Sequence, residues 1–276
     1  MLPEDYKDLL AFIKFCYQEI SDYLAKLFLK LNDSKTEIIL IGSERNVAKC
    51  KSEISSLKLG DSCITFSSFV KTLGVTLDET LSLEKHIQTI SKNCMFRLRN
   101  LRQIRSHFDK SSFQIAVHAT IISKLDYCNP LYAGLPSSSL RPLQLVQNFA
   151  ARLILRRSKF CHITPLLHEL HWLPIYSRIK FKVLLFVFKA LHGIPTYLSS
   201  LLSYYQPTRS LRSTDQLLLK IPRTNKVSFG GRAFSVFGPK HWKTLPNLIK
   251  KSLTVDNFKK QLKTHLFSAH FNSIIF

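Results

Sequence analysis

Apolar residues recur every three or four positions along much of the chain, the spacing that puts them on one helical face. Leu9, Ile13, Cys16, Ile20, Tyr23 and Leu27 form the first such stripe and predict a helix over residues 4–29. The turn-forming run Leu31-Asn32-Asp33-Ser34 ends it. Residues 35–41 (KTEIILI) read as a strand leading to Gly42, and residues 43–57 as a short helix. Residues 63–66 and 69–77, apolar and β-branched, read as two short strands around a Ser67-Ser68 turn. From Ser82 the pattern becomes one of long helices. Leu83, Ile87, Ile90, Cys94, Leu98, Leu101, Ile104 and Phe108 sustain a single stripe. Further helices are expected over 111–125 and over 139–157, where Pro142 is tolerable only near the start. Another opens at Pro174 and ends at Gly193, and the last covers 255–270. Residues 206–231, with Pro207, Pro222, Gly230 and Gly231, are the least regular stretch.

These elements predict an α+β protein that is predominantly α-helical. An apolar fraction of 45% is enough for a core and argues against wholesale disorder. The charge is unevenly placed. Residues 1–80 carry 10 Lys+Arg against 12 Asp+Glu, a net of −2, whereas residues 81–276 carry 30 against 6, a net of +24. Such a segment repels itself unless a polyanion or counterions neutralise it, and nucleic acid is the favoured polyanion. A membrane is the weaker reading. The longest unbroken apolar run is Val183–Phe188, six residues, against the roughly 20 that a bilayer span needs. Residues 1–15 mix acidic and basic groups and do not read as a signal peptide. The six cysteines contain no CxxC pair and are expected to remain thiols, which points to the cytoplasm or nucleus.

At residues 29–39 the string LKLNDSKTEII resembles the block that follows the catalytic aspartate motif in reverse transcriptases of LINE-type (non-LTR) retrotransposons, of the jockey and chicken-repeat groups. FVKTLGVTLDETLSLEKHI (69–87) resembles that family's primer grip and its exit into the thumb. KLDYCNPLYAGLP (124–136), LQLVQNFAARLI (143–154) and HITPLLHELHWLPIYSRIKFK (162–182) are similar to blocks of the same polymerases' C-terminal part. So are RSLRS (209–213), RAFSVFGPKHWKTLP (232–246) and FKKQLKTHLF (258–267). The blocks stand in the family's order and cover most of the chain. The resemblance implies the C-terminal end of a palm with a primer-grip-like hairpin over 1–80. It implies a basic thumb-like helical region over 81–160, and a mostly helical C-terminal domain over 161–276. It also implies RNA and DNA, as a template–primer duplex, for a partner.

One departure bears on activity. These polymerases hold two Mg2+ ions with carboxylates that include an adjacent aspartate pair, and hard cations need such oxygen ligands. The sequence contains no Asp-Asp pair. It looks cut off after the catalytic aspartates, so the chain by itself is expected to bind nucleic acid without copying it and to need no cofactor; Mg2+ belongs to the complete parent enzyme.

Several residues carry a functional and a plain reading side by side. Lys35 takes the family's position for a lysine near the incoming triphosphate, a vestige here, or is a surface lysine at the start of an edge strand. That edge, left unpaired, would favour association. Leu73, Gly74 and Val75 match the core of the primer grip, where a glycine lets backbone approach a primer; the same glycine also suits a tight hairpin. Arg97, Arg99, Arg102, Arg105, Arg152, Arg156 and Arg157 are the candidates for phosphate contacts, against the alternative of a solvated charged face. Cys161, His162, His168 and His171 lack the spacing of a closed zinc site. Trp172 and Trp242 read mainly as core anchors, with base stacking as the other option. Arg209, Arg212 and Arg232 sit where a backbone-clamping loop would be natural. The rival to nucleic-acid binding is a decayed or co-opted helical scaffold for a protein partner.

Overall fold

The computed structural model describes residues 6–60, 62–205, 217–224 and 227–271. The protein is α+β and mostly helical, with two small antiparallel sheets. It divides into two compact units, Met1–His86 and Ile87–Phe276. The segments expected as thumb-like (81–160) and C-terminal (161–276) fall in the second apart from residues 81–86.

The first unit begins with helix α1 (Tyr6–Lys26), followed by α2 (Glu44–Glu53). The stripe predicted on α1 is helical but not buried: Ile20, Tyr23 and Leu27 stay exposed, and Phe12 and Phe15 are each 61% exposed. Two hairpins follow, β1 (Ser56–Leu59) with β2 (Ser62–Thr65), and β3 (Phe69–Thr72) with β4 (Val75–Asp78). This corrects the expected single hairpin. Ser67-Ser68 joins the two hairpins, while the tight turn of the second lies at Leu73-Gly74, at φ 46° and 80°. Two left-handed residues in a two-residue loop match the twist of the flanking strands. Leu57, expected at the end of a helix over 43–57, is a strand residue instead, buried like Leu59 with exposed Lys58 between them.

The strand expected at 35–41 does not form. Asp33–Lys35 is a 3-10 turn, and Ile38 alone bridges, parallel, to Phe66. A ladder needs a partner along its length, and only Ser67 N–H to Ile38 O (2.8 Å) joins the bridge here. The unpaired edge proposed for association is therefore absent. Asp78 closes β4 into the next helix, accepting from Leu83 N–H at 2.7 Å, Ser82 N–H at 2.9 Å and Thr80 Oγ at 2.7 Å. Burial pushes its carboxyl upward, but these hydrogen bonds outweigh burial and hold it below the usual range.

Helix α3 (Glu84–Gln103) starts at the end of the first unit and runs on from Ile87 in the second, and its Ile87, Cys94 and Leu98 are buried as the stripe predicts. Then come α4 (Lys110–Val117), a π turn (His118–Ile122) and α5 (Ser123–Asp126), one continuous helical run. Next are α6 (Ser137–Ile154), α7 (Ile163–Glu169), α8 (Ile175–Leu191), α9 (Thr196–Ser199) and α10 (Val227–Gly230). The chain ends with α11 (Phe234–Lys243), α12 (Asn247–Lys250) and α13 (Val255–Phe271). Helix α8 is central, with Ile179, Leu184, Val187 and Phe188 almost fully buried. Phe188 stacks on Phe258 of α13 with centroids 4.1 Å apart. Gly238 lets α11 come close to α8: a Cβ there would lie 2.8 Å from Val187 Cγ2. Two glutamines of α6 fix the entry to α8. Gln147 Nε2 donates to Leu173 O at 2.9 Å, and Gln144 Oε1 accepts from Ile175 N–H at 2.9 Å. No helix among the described residues is long and apolar enough to cross a membrane.

Candidate nucleic-acid interface

Helix α3 presents Arg97, Arg99 and Arg102 to solvent because Cys94 and Leu98 occupy the opposite face. Lys92 and Arg99, seven apart, share one flank, and Arg97 lies on the other side of the buried stripe. None of these four is ion-paired among the described residues. A charged flank at helical intervals suits contacts to a charged backbone and carries no base-reading pattern.

Arg105 does not belong with them. Helix α3 ends at Gln103, and a 3-10 turn (Arg105–His107) swings the side chain inward to 8% exposure. Its guanidinium donates to Leu153 O at 3.2 Å, Ile154 O at 3.0 Å and Phe108 O at 2.8 Å, and lies over the Phe113 ring. The carbonyls at the end of α6 have no intrahelical donors, and Arg105 supplies them. The expectation of a phosphate contact is corrected for this residue. Helical periodicity could not reveal it, because the helix stops before the residue.

Arg152 is half-buried, with Nη2 donating to Cys161 O at 3.0 Å, so it ties the end of α6 to the following loop. Arg156, at φ 51°, and Arg157 are exposed just beyond α6. Together with Arg105 and Lys110 they line a concavity of about 500 Å3. Its carboxylates are already engaged. Asp109 caps α4 by accepting from Ser111 N–H at 2.9 Å and Ser112 N–H at 3.2 Å, and Glu169 pairs with Lys110 at 2.8 Å. The structure thus brings Arg156 and Arg157 together on one hollow and leaves Arg97, Arg99 and Arg102 on α3.

Lys35 lies in the first unit, exposed in its 3-10 turn rather than at a strand start. Leu73 and Gly74 form the tip of the β3–β4 turn, with Leu73 86% exposed, while Val75 points into the core at 3%. Val75 is therefore withdrawn from direct contact. Arg209 and Arg212 lie outside the described residues. Arg232 is spent on structure, donating to Ala133 O at 3.3 Å across Gly134. His168 and His171 pack on Phe267, with centroids 5.2 and 5.6 Å away. Trp172 and Trp242 are both buried. Trp242 donates to Leu217 O at 2.9 Å, and neither ring has a free face for a base. Among the described residues no group of three His, Cys, Asp or Glu side chains gathers as a metal set.

Long-range pairs escaped the sequence reading. Asp126 and Arg178, 52 positions apart, form a two-pronged ion pair at 2.9 and 2.5 Å. Comparison with protein-family models, curated proteins and solved structures gave no match.

Proposed function

We propose that this chain is the C-terminal portion of a LINE-type reverse transcriptase that holds an RNA–DNA template–primer through its phosphates and does not transfer nucleotides by itself. The observation that carries the reading is an unbalanced set of cations on the second unit. Of the six carboxylates after residue 80, four are engaged: Asp109 as a cap, and Asp126, Glu169 and Asp256 in ion pairs. Among the described residues, Arg97, Arg99 and Arg102 of α3 and Arg156 and Arg157 at the hollow therefore have no ion-pair partner. A polyanion supplies one at a favourable free energy, because each phosphate contact releases condensed counterions.

The order of elements supports the finer assignment. A hairpin with Leu73-Gly74 at its tip leads directly into a long helix with a basic flank, as a primer grip leads into a thumb. The chain carries no aspartate pair to hold two Mg2+ ions, so catalysis is assigned to the complete parent enzyme, acting in the nucleus or cytoplasm. The exposed apolar face of α1 favours a second reading, a scaffold that docks a protein partner through that helix.

Fluorescence anisotropy of an RNA–DNA duplex with the full chain, at several salt concentrations, tests the proposal. Five phosphate contacts from Arg97, Arg99, Arg102, Arg156 and Arg157 predict a log–log slope of about −4.5. A flat dependence would overturn it. A complex with an acidic protein and no duplex binding would favour the scaffold.

A further inference from the structure

A second hollow in the Ile87–Phe276 unit, of about 240 Å3, lies where the π turn after α4, helix α8 and helix α13 meet. Its floor is apolar, made by Trp172, Leu173 and Phe181. Its rim is cationic. Lys182 on α8 and Lys263 on α13 reach it, and neither is ion-paired among the described residues. The one carboxylate at the rim is Asp126, and it is already held by Arg178 and by Asn129 Nδ2 at 3.2 Å. Two lysines without an ion-pair partner among the described residues therefore border one concave surface with an apolar back wall. Such a hollow favours an anionic ligand over a neutral or cationic one.

His118 adds a donor. Trp172 Nε1–H can only donate, and it donates to His118 Nε2 at 3.2 Å. The imidazole is therefore neutral, with its proton on Nδ1, and its edge is exposed. Packing around the ring and the charges of Arg178 and Lys263 outweigh the pull of Asp126 and keep its pKa below the ordinary value. The ring offers a hydrogen bond without adding charge.

The geometry points to a site for the phosphomonoester of a nucleotide, with the phosphate at Lys182 and Lys263 and the nucleoside against Phe181 at the edge of the apolar floor. Charge selects the ligand. A phosphomonoester carries about −1.5 to −2 at neutral pH, which matches two free ammonium groups; an internal phosphodiester carries one charge and leaves one ammonium unmatched. The ligand is either a free mononucleotide or the phosphorylated end of a strand. Only the second source rests on the nucleic-acid reading above.

The experiment uses the full chain and a short labelled oligonucleotide bearing a terminal phosphate, at its 5′ or its 3′ end, against the same strand with hydroxyl ends. AMP, adenosine and inorganic phosphate serve as competitors. A phosphorylated end should bind about tenfold tighter than a hydroxyl end, as expected for charge-assisted hydrogen bonds to one dianion. Lys182→Gln with Lys263→Gln should abolish that advantage and leave hydroxyl-strand affinity within about twofold. Competition by AMP at matching strength identifies the mononucleotide as ligand; an effect confined to strands identifies the strand end. The proposal is overturned if neither a phosphorylated end nor AMP binds better than its hydroxyl counterpart, or if inorganic phosphate competes as well as AMP. Loss of salt-dependent binding by the hydroxyl strand, with AMP still bound, would sink the duplex-binding reading alone.

Discussion

Arg105 and Ile154, 49 positions apart, meet where the guanidinium donates to the carbonyl at 3.0 Å and closes the end of α6. The contact makes Arg105 a structural residue. Arg105→Ala should destabilise the chain by about 2–4 kcal/mol, because three carbonyls lose a charged donor in a buried setting. Arg105→Lys should recover only part of this, since a single ammonium cannot serve three acceptors at the fork's geometry. Urea unfolding measures both, and a midpoint unchanged by the alanine variant would refute the role.

The arginines of α3 should behave oppositely. Arg97, Arg99 and Arg102 are exposed and without an ion-pair partner among the described residues, so replacing all three by alanine should shift stability by no more than about 0.5 kcal/mol each. Duplex affinity should fall, and the salt slope should lessen by about 1 per arginine. An unchanged slope would show that these side chains touch no phosphate.

The contrast between those arginines marks what the sequence could disclose. Lys92, Arg97 and Arg99 follow from the register of Cys94 and Leu98, so their exposure was legible. Arg105 was not, because the chain leaves the helical register at Ile104 and the next turn decides its direction. Helices α1, α3, α6, α8 and α13 were likewise readable from three-to-four spacing. The short strands were harder. KTEIILI has the apolar content of a strand, yet pairing is settled by a partner elsewhere in the chain, and only Phe66 comes alongside. The turn at Leu73-Gly74 outcompeted Ser67-Ser68 because a tight antiparallel hairpin wants left-handed residues, which glycine adopts readily. The hollow bordered by Asp126, Arg178, Lys182 and Lys263 needed the packing of distant helices and lay beyond any local pattern.

Gly238 offers a test of that packing. In most helix interiors Gly→Ala stabilises by about 1 kcal/mol. Here the new Cβ would lie 2.8 Å from Val187 Cγ2, on a stiff and fully buried side chain. Overpacking costs of about 1–3 kcal/mol should prevail, so Gly238→Ala should lower the urea midpoint. Adding Val187→Ala removes the clash. The double variant should then be less destabilised than the two single changes added together, and simple additivity would show that α11 does not press on α8 at this point.

Acid sensitivity should come largely from His241. Burial, then the charges of Lys180 and Lys240, push its pKa down to about 4, and its ring packs edge-on to Phe237 at 4.1 Å. The unfolded chain binds this proton near pH 6.5, the folded chain only near pH 4. The stability is therefore fully present above about pH 6.5 and declines as pH falls towards 4, by roughly 2–3 kcal/mol once solvent screening of the half-buried ring is discounted. His86, His118, His265 and His270 are shifted in the same direction and add to the decline. His241→Gln should flatten part of the profile of urea midpoint against pH; an unaltered profile would remove His241 as its source.

The tip of the β3–β4 hairpin separates the two readings of Leu73-Gly74. Gly74 sits at φ 80°, where a Cβ is strained, so Gly74→Ala should cost about 1 kcal/mol whatever the tip does. Leu73 is different, since 86% of it is exposed and its removal leaves no cavity. Leu73→Ala should keep the urea midpoint. If the tip touches a primer strand, the same change should weaken binding to a primed RNA–DNA duplex by severalfold, since one leucine buried against a ligand contributes on the order of 1–2 kcal/mol. Anisotropy with primed and blunt duplexes reads this directly. Equal affinity for Leu73→Ala and the unaltered chain on the primed duplex would leave the glycine as a hairpin residue only and strip the primer-grip assignment of its support.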